Sequence, residues 1–322
     1  MKRRRSQVSA PVAVAAIRRT QAGNFTRDLD LTRDELLYLL DLTAQVKKTP
    51  GRYARELAGQ YLSLLFEKPS LRTRLTFELA IKQLGGDSIL NVGPVGEREP
   101  IKDVARNLDR WTNAIVARTF LQKTVDELAR WSKVPVINAL SDLYHPCQAL
   151  ADVFTLREHF GELPGLRLAF VGDGNNVAHS LMLCSARLGI HFAVASPGEY
   201  EPNPEIVAEA RALAAQTGAS LLVTDDPDRA VAGAHAVYTD VWASMGQEAE
   251  AETRRRVFRR YQVNETLLSK ARTEAVFMHC LPAKRDQETT DSVMETTQSV
   301  VFDQAENRLH TQKALLLMLM AH

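Results

Sequence analysis

The 322-residue chain has little cysteine: Cys147, Cys184 and Cys280, an odd number at wide spacing with no Cys-x-x-Cys pair. That excludes a disulfide scaffold and fits a reducing compartment. No apolar run approaches the ~18 residues of a membrane-spanning helix. Acid is missing from the first 27 residues, which hold seven Lys or Arg before Asp28. Removing those seven from the 40 basic residues leaves 33 against 39 acidic ones, a body too acidic to bind nucleic acid by bulk electrostatics. The stretch from Pro11 to Ile17 is too short for a secretory signal. Residues 1–23 therefore read as a basic tail, either disordered on a cytoplasmic protein or a mitochondrial transit segment. Two motifs are also absent: Gly-x-x-x-x-Gly-Lys-[Ser/Thr] and Gly-x-Ser-x-Gly, which excludes a nucleotide P-loop and a hydrolase elbow. Gly172-Asp-Gly174-Asn-Asn-Val177 lacks the third glycine of a dinucleotide fingerprint, and the next strand ends on Ala195-Ser-Pro with no acid for a ribose.

What is present is an ordinary globular composition, 45% apolar and 25% charged, at a length that suggests two domains. Thr32 with Glu35 forms a capping box before a leucine-rich helix. Short apolar runs at 60–65, 89–92, 114–117 and 135–138 read as strands. Helices are expected from 71, from 101 and over 125–131, and a long one over 144–160. After Pro164-Gly165 the alternation restarts: strands at 168–171, 191–195, 220–224, 236–239 and 275–278, helices at 177–188, 204–216 and 227–232, and a last helix over 305–322. This alternation predicts an α/β fold of two doubly wound parallel-sheet domains joined by bridging helices, 144–160 foremost. The division expected is 24–150 and 151–304, with 305–322 packing back on the first domain.

In such sheets the loops at the carboxyl ends of strands build the site. The sharpest is Phe66-Glu-Lys-Pro-Ser-Leu-Arg-Thr-Arg74, a strand-to-helix turn whose free N–H groups and helix dipole favour an anion. Ser70 and Thr73 add hydroxyls, and Arg72 adds a guanidinium fork suited to phosphate; a capped helix with solvated arginines is the bland alternative. Leu140-Ser-Asp-Leu-Tyr-His145-Pro-Cys-Gln148 puts His145 and Gln148 on one helix face. Thr239-Asp240-Val-Trp-Ala-Ser244-Met245-Gly246 offers a carboxylate and a hydroxyl suited to an amino acid. Met278-His-Cys280-Leu281-Pro-Ala283 carries a thiol that is either activated or simply packed. A metal at His145/Cys147 with His279/Cys280 lacks the usual ligand spacing.

Taken in order, FEKPSLRTR, HPCQ, DVWASMGQE, HCLPA and AENRLH resemble the motifs of the aspartate/ornithine carbamoyltransferase family, and the Asp-x-x-x-Ser-Met-Gly loop resembles its ornithine branch. The resemblance covers the chain from about residue 24 to its end. It implies transfer of the carbamoyl group of carbamoyl phosphate to the δ-amine of L-ornithine, giving citrulline and phosphate, with no metal or organic cofactor and with a homotrimer as the assembly. By the same resemblance Ser70, Leu71 (through its N–H), Arg72 and Thr73 hold the phosphate. Arg118 and His145 reach the carbonyl oxygen, Gln148 and Leu281 grip the carbamoyl amide, and Arg308 closes over it. Asn176, Asp240, Ser244 and Met245 would bind ornithine, with Asp240 and Cys280 near the δ-amine. Two positions depart from the pattern. Leu71 stands where Thr or Gly is usual, and Pro94 stands in a loop that lends a side chain to a neighbouring subunit. Carbamoyl transfer to N-acetylornithine, N-succinylornithine or putrescine, or binding without catalysis, are the competing readings.

Overall fold

The computed structural model describes residues 16–243 and 248–321. The first half carries α1 (Arg33–Lys48), β1 (Tyr61–Phe66), α2 (Arg72–Gln83), β2 (Asp87–Val92), α3 (Ile101–Trp111), β3 (Ala114–Arg118), α4 (Gln122–Trp131), β4 (Val136–Leu140) and α5 (Pro146–Phe160). In the second half come β5 (Arg167–Val171), α6 (Asn176–Leu188), β6 (His191–Ala195), α7 (Pro204–Thr217), β7 (Leu221–Thr224), α8 (Pro227–Val231) and β8 (Ala236–Thr239). They are followed by α9 (Ala251–Phe258), α10 (Glu265–Leu268), β9 (Val276–His279), α11 (Asp291–Met294) and α12 (Val301–Met320).

The strands form two all-parallel sheets, ordered β2-β1-β3-β4 and β7-β6-β5-β8-β9. The α/β class with two doubly wound sheets is therefore the architecture observed. Helices cover both faces of such sheets, so central strands are apolar over most of their length, as in the fully buried residues 114–117 that precede Arg118. Each sheet has one point where the strand order reverses, between β1 and β3 and between β5 and β8. Loops leaving neighbouring strands there diverge and open a crevice.

Local chemistry sets the helix starts. Thr32 Oγ1 accepts the Glu35 N–H, and Glu35 Oε2 accepts the Thr32 N–H at 2.8 Å, the reciprocal cap expected. The helix expected over 144–160 begins at Pro146. His145 takes φ −132°, because a residue before proline is pushed out of the helical region and proline suits the first helical position. At Gly174 a Cβ would fall 2.2 Å from the Pro202 nitrogen, so the fingerprint-like glycine serves backbone contact. Helix α9, Ala-Glu-Thr-Arg-Arg-Arg-Val-Phe, has too few apolar positions to announce itself. Arg254 holds it, buried against Asp173 at 2.8 Å and stacked over Tyr200.

One apolar core runs through both halves. It joins α1, β1, α2, α5, α6, β5 and the end of α12. Helix α5 is buried on all sides from Pro146 to Leu156, the signature of a helix enclosed between layers. Helix α12 packs against α1, α2 and α5, so the chain's last element returns to its first half. Residues 18–21, expected to belong to a loose tail, complete that end. The Thr20 N–H bonds Met318 O at 3.2 Å and the Gln21 N–H bonds Glu35 Oε1 at 2.7 Å. The last carbonyls of a helix lack partners within it, which is why this segment is held.

A polar bridge also ties the halves. Ser180 Oγ on α6 donates to Asp28 Oδ2 at 2.6 Å and accepts the His145 N–H at 2.9 Å. Burial pushes the Asp28 carboxyl up to about 6, against the Ser180 and Cys184 bonds that lower it. Ser180→Ala strands both groups. Urea unfolding should show a loss of ~1–3 kcal/mol, whereas a loss under about 0.5 kcal/mol would show that the bridge contributes little.

Candidate active site

Every sequence-predicted site residue that the structure describes lies at a strand's carboxyl end, at the start of the helix that follows, or on α12. Ser70 Oγ, two residues before α2 begins, accepts the Thr73 N–H of its first turn at 3.3 Å. Glu67 fastens the neighbouring loops to this turn, accepting the Val95 N–H through Oε1 and the Phe120 N–H through Oε2, both at 2.8 Å. Leu71 faces outward, 69% exposed, so only its backbone can serve the turn.

Three guanidinium groups converge here. Arg118, at the end of β3, lies 3.4 Å from Thr73 Oγ1 through Nη1. Arg308, on α12, donates to the same oxygen at 2.8 Å through Nη2 and to Gln148 Oε1 at 2.9 Å through Nη1. Arg72 stands half-buried on α2 beside them, and none of the three forms an ion pair with a carboxylate among the described residues. The Nε atoms of Arg118 and Arg308 are buried without a hydrogen-bond partner. Burial pulls Arg118 down to about 10, with Arg308 as the next cause, and lowers Arg72 and Arg308 as well. Cations so placed are costly unless an anion joins them.

His145 is held by its backbone to Ser180, and its Nδ1 is buried without a partner. Burial, then Arg308 and Arg118, lowers its pKa well below 6.5, so the ring is neutral and offers a hydrogen bond in place of a charge. Gln148 gives its amide nitrogen to Asp152 at 2.8 Å and turns its oxygen to Arg308.

The second half adds a carboxylate and a thiol. Asp240, after β8, accepts from Asn175 Nδ2 at 2.9 Å and from Cys280 Sγ at 3.0 Å. Burial and then Asp240 push the Cys280 thiol far up, so it is a donor and not a thiolate nucleophile. Leu281, at φ +57°, gives its N–H to His279 Nδ1 at 2.9 Å. Asn176 donates to Ser141 O at 2.6 Å, across to the loop after β4. Ser244 and Met245 lie outside the described residues. Arg72, Arg118 and Arg308 all lie within electrostatic reach of the Cys280 position, so the cationic pocket and the Asp240–Cys280 pair form one site.

Asp240, His279 and Cys280 have ligand atoms within 4.8 Å of one another. The His279 ring is committed on both sides, to the Leu281 N–H and to Glu288 Oε1 at 3.2 Å, and turns no lone pair toward a metal. Sequence reasoning overlooked Asn175, Ser180, Asp152 and Glu67. Asp152 had a signal: it is the one acid in an otherwise uncharged run from Pro146 to Leu156, one turn after Gln148.

Fold and site together define a two-domain α/β protein with arginines clustered at a strand-to-helix turn and an acidic group beside them. The comparisons agree. The carbamoyl-phosphate-binding domain of aspartate/ornithine carbamoyltransferases matches residues 24–158, and their Asp/Orn-binding domain matches residues 164–319. The chain is 53% identical over 298 residues to the ornithine carbamoyltransferase of Acidothermus cellulolyticus, covering 91% of this chain and 95% of that one. It is 49% identical over 296 residues to that of Anoxybacillus flavithermus, covering 90% and 94%. The solved ornithine carbamoyltransferase of Pyrococcus furiosus superposes with a TM-score of 0.91 at 45% identity, over 95% of this chain and 99% of that one. The chain belongs to the aspartate/ornithine carbamoyltransferase family.

The buried histidine can be checked directly. In a histidine-labelled NMR titration the His145 ring should take up its proton at a pH well below that of an ordinary histidine. A midpoint near 6.5 would mean that solvent or an anion reaches the ring.

Proposed function

We propose that the protein is an ornithine carbamoyltransferase. It would move the carbamoyl group of carbamoyl phosphate to the δ-amine of L-ornithine, with citrulline and phosphate as products. The meeting of Arg118 and Arg308 at Thr73, with Arg72 close enough to help lower the Arg308 pKa and no carboxylate paired to the three among the described residues, carries this reading. A phosphate dianion supplies the charge that this pocket lacks. In this reading the first half serves carbamoyl phosphate and the second half ornithine, divided near residue 150, with α12 returning to the first.

The δ-amine, with an ordinary pKa near ~10.4, must shed its proton before attack. Desolvation lowers that pKa, and Asp240 with Cys280 orients the nitrogen while Asn176, Ser244 and Met245 hold the amino-acid end. As the C–N bond forms, the carbonyl oxygen gathers charge, and Arg118 and neutral His145 donate to it. One placed oxyanion donor is worth ~2.7–4 kcal/mol. The C–O bond to phosphate then breaks, the nitrogen keeps the carbamoyl group and gives up a proton, and Ser70, Arg72, Thr73 and the Leu71 N–H take the departing charge. Gln148 Oε1 and the Leu281 carbonyl accept from the carbamoyl nitrogen. This chemistry draws on no cofactor.

A homotrimer and a cytoplasmic address belong to the same reading. Leu71, Leu75 and Leu79 recur at helical spacing on exposed α2, and Ile89 and Val92 are exposed on edge strand β2. Such a stripe is larger than scattered surface residues and suits a subunit contact beside the site and the Pro94 loop. No described helix is long and apolar enough to cross a membrane.

Citrulline-type product should form from ornithine in preference to N-acetylornithine, N-succinylornithine or putrescine. Turnover of another amine with none of ornithine would overturn the assignment, and turnover of none would leave a binding protein. Arg72→Ala should lower kcat/KM for carbamoyl phosphate by at least ~10²-fold, and unchanged kinetics would refute the phosphate cradle. Sedimentation should give three chains or a multiple of three.

A further inference from the structure

Asp152 sits on α5 beneath the site, fully buried, and every polar contact that reaches it comes from a donor. Gln148 Nε2 lies 2.8 Å from Oδ1, Gln304 Nε2 lies 2.6 Å from the same atom, and Tyr238 Oη lies 3.2 Å from Oδ2. The Tyr238 hydroxyl is also an acceptor for Gln304 Nε2 at 3.0 Å. An amide side chain has two ends, and its orientation follows from what its partners can accept. With a carboxylate behind it, Gln148 must point its nitrogen inward, and its oxygen is thereby turned toward Arg308 and the site. Gln304 is oriented in the same way: its oxygen accepts the His279 N–H at 3.0 Å, the backbone group one residue before Cys280 and two before Leu281.

We infer that Asp152 is a positioning residue for carbamoyl recognition: as a shared acceptor it orients the Gln148 amide, so that its oxygen faces the substrate's NH2 group, and the Gln304 amide, which holds the His279 backbone next to the Cys280–Leu281 turn. The inference rests on the proposed use of Gln148 and Leu281 to grip the carbamoyl amide. It extends that reading, because the groups that tell an NH2 from a methyl are then set by a residue that touches neither substrate. Burial pushes the Asp152 carboxyl up to about 7, while the Gln148, Gln304 and Tyr238 bonds and Arg308 pull it down. Its neighbours thus favour the carboxylate, the form that accepts from all three donors.

Asp152→Leu keeps the approximate volume and removes both acceptor oxygens, so the Gln148 and Gln304 amides lose their shared acceptor and the Gln148 amide is free to turn over. The readout is the affinity for carbamoyl phosphate relative to acetyl phosphate, with inorganic phosphate as reference. These three probes share the phosphate cradle and differ in the NH2 group, so a general loosening of the fold does not move their ratio. Wild-type chain should prefer carbamoyl over acetyl phosphate. In Asp152→Leu that preference should fall by roughly tenfold, the scale of one hydrogen bond between polar groups, with inorganic phosphate binding within about twofold. A preference unchanged in the variant overturns the positioning role. Wild-type chain with no preference overturns the underlying reading instead, so the two failures are distinguishable. If Asp152→Leu does not fold, as judged by circular dichroism, Gln304→Met carries the test. It removes the second amide, and it too should reduce the preference; an unchanged ratio there overturns the inference.

Discussion

Arg118 and Arg308 are buried together at one threonine hydroxyl with no carboxylate paired to either among the described residues. Withdrawing a cation from water costs several kcal/mol, and two adjacent cations also repel. A fold tolerates this only if the surrounding structure holds the groups in place. Here the holding elements are the end of β3, the first turn of α2, and an α12 that leaves the second sheet to lie on the first half. The same charges depress His145, so the site combines fixed cations with a neutral hydrogen-bonding ring. In the proposed reading a dianion completes the arrangement electrostatically, and phosphate chemistry follows from that requirement more directly than from any single motif.

The second constraint is that the two halves must present their groups to each other at fixed distances. A continuous core and the enclosed α5 supply most of the stiffness. Specific polar ties then set register: Ser180 joins Asp28 to the His145 backbone, and Asn176 reaches the Ser141 carbonyl. Positioning of this kind can account for a large part of a two-substrate rate enhancement, because it removes translational and rotational freedom before the chemical step. Asp152 belongs to the same layer, directing amides that lie between it and the reacting atoms.

Much of this was legible in the sequence. Thr32 and Glu35 announce their capping box, and short, largely apolar runs such as Leu62–Phe66 mark buried parallel strands within a residue or so of their ends. The start of α5 was read two residues early, because apolar patterning does not register the backbone restriction that Pro146 places on His145. Helix α9 escaped notice because a buried Arg254–Asp173 pair holds it, a contact between residues far apart in the chain. Residues 18–21 looked like tail for the same reason: the carbonyls they satisfy belong to the opposite end of the chain.

The sequence by itself determined the alternation of strands and helices, the placing of Ser70, Arg72, Thr73, Arg118, His145, Asp240 and Cys280 at strand ends or helix starts, and the family these motifs share. Those properties are local, set by periodicity, capping and turn chemistry within a few residues. Only the tertiary structure decided that Arg118 and Arg308 meet at Thr73, that Cys280 donates to Asp240, and that Asp152 turns the amides of Gln148 and Gln304. Strand order and the return of α12 bring these residues together, and the protonation states that follow depend on burial, which no stretch of sequence carries on its own.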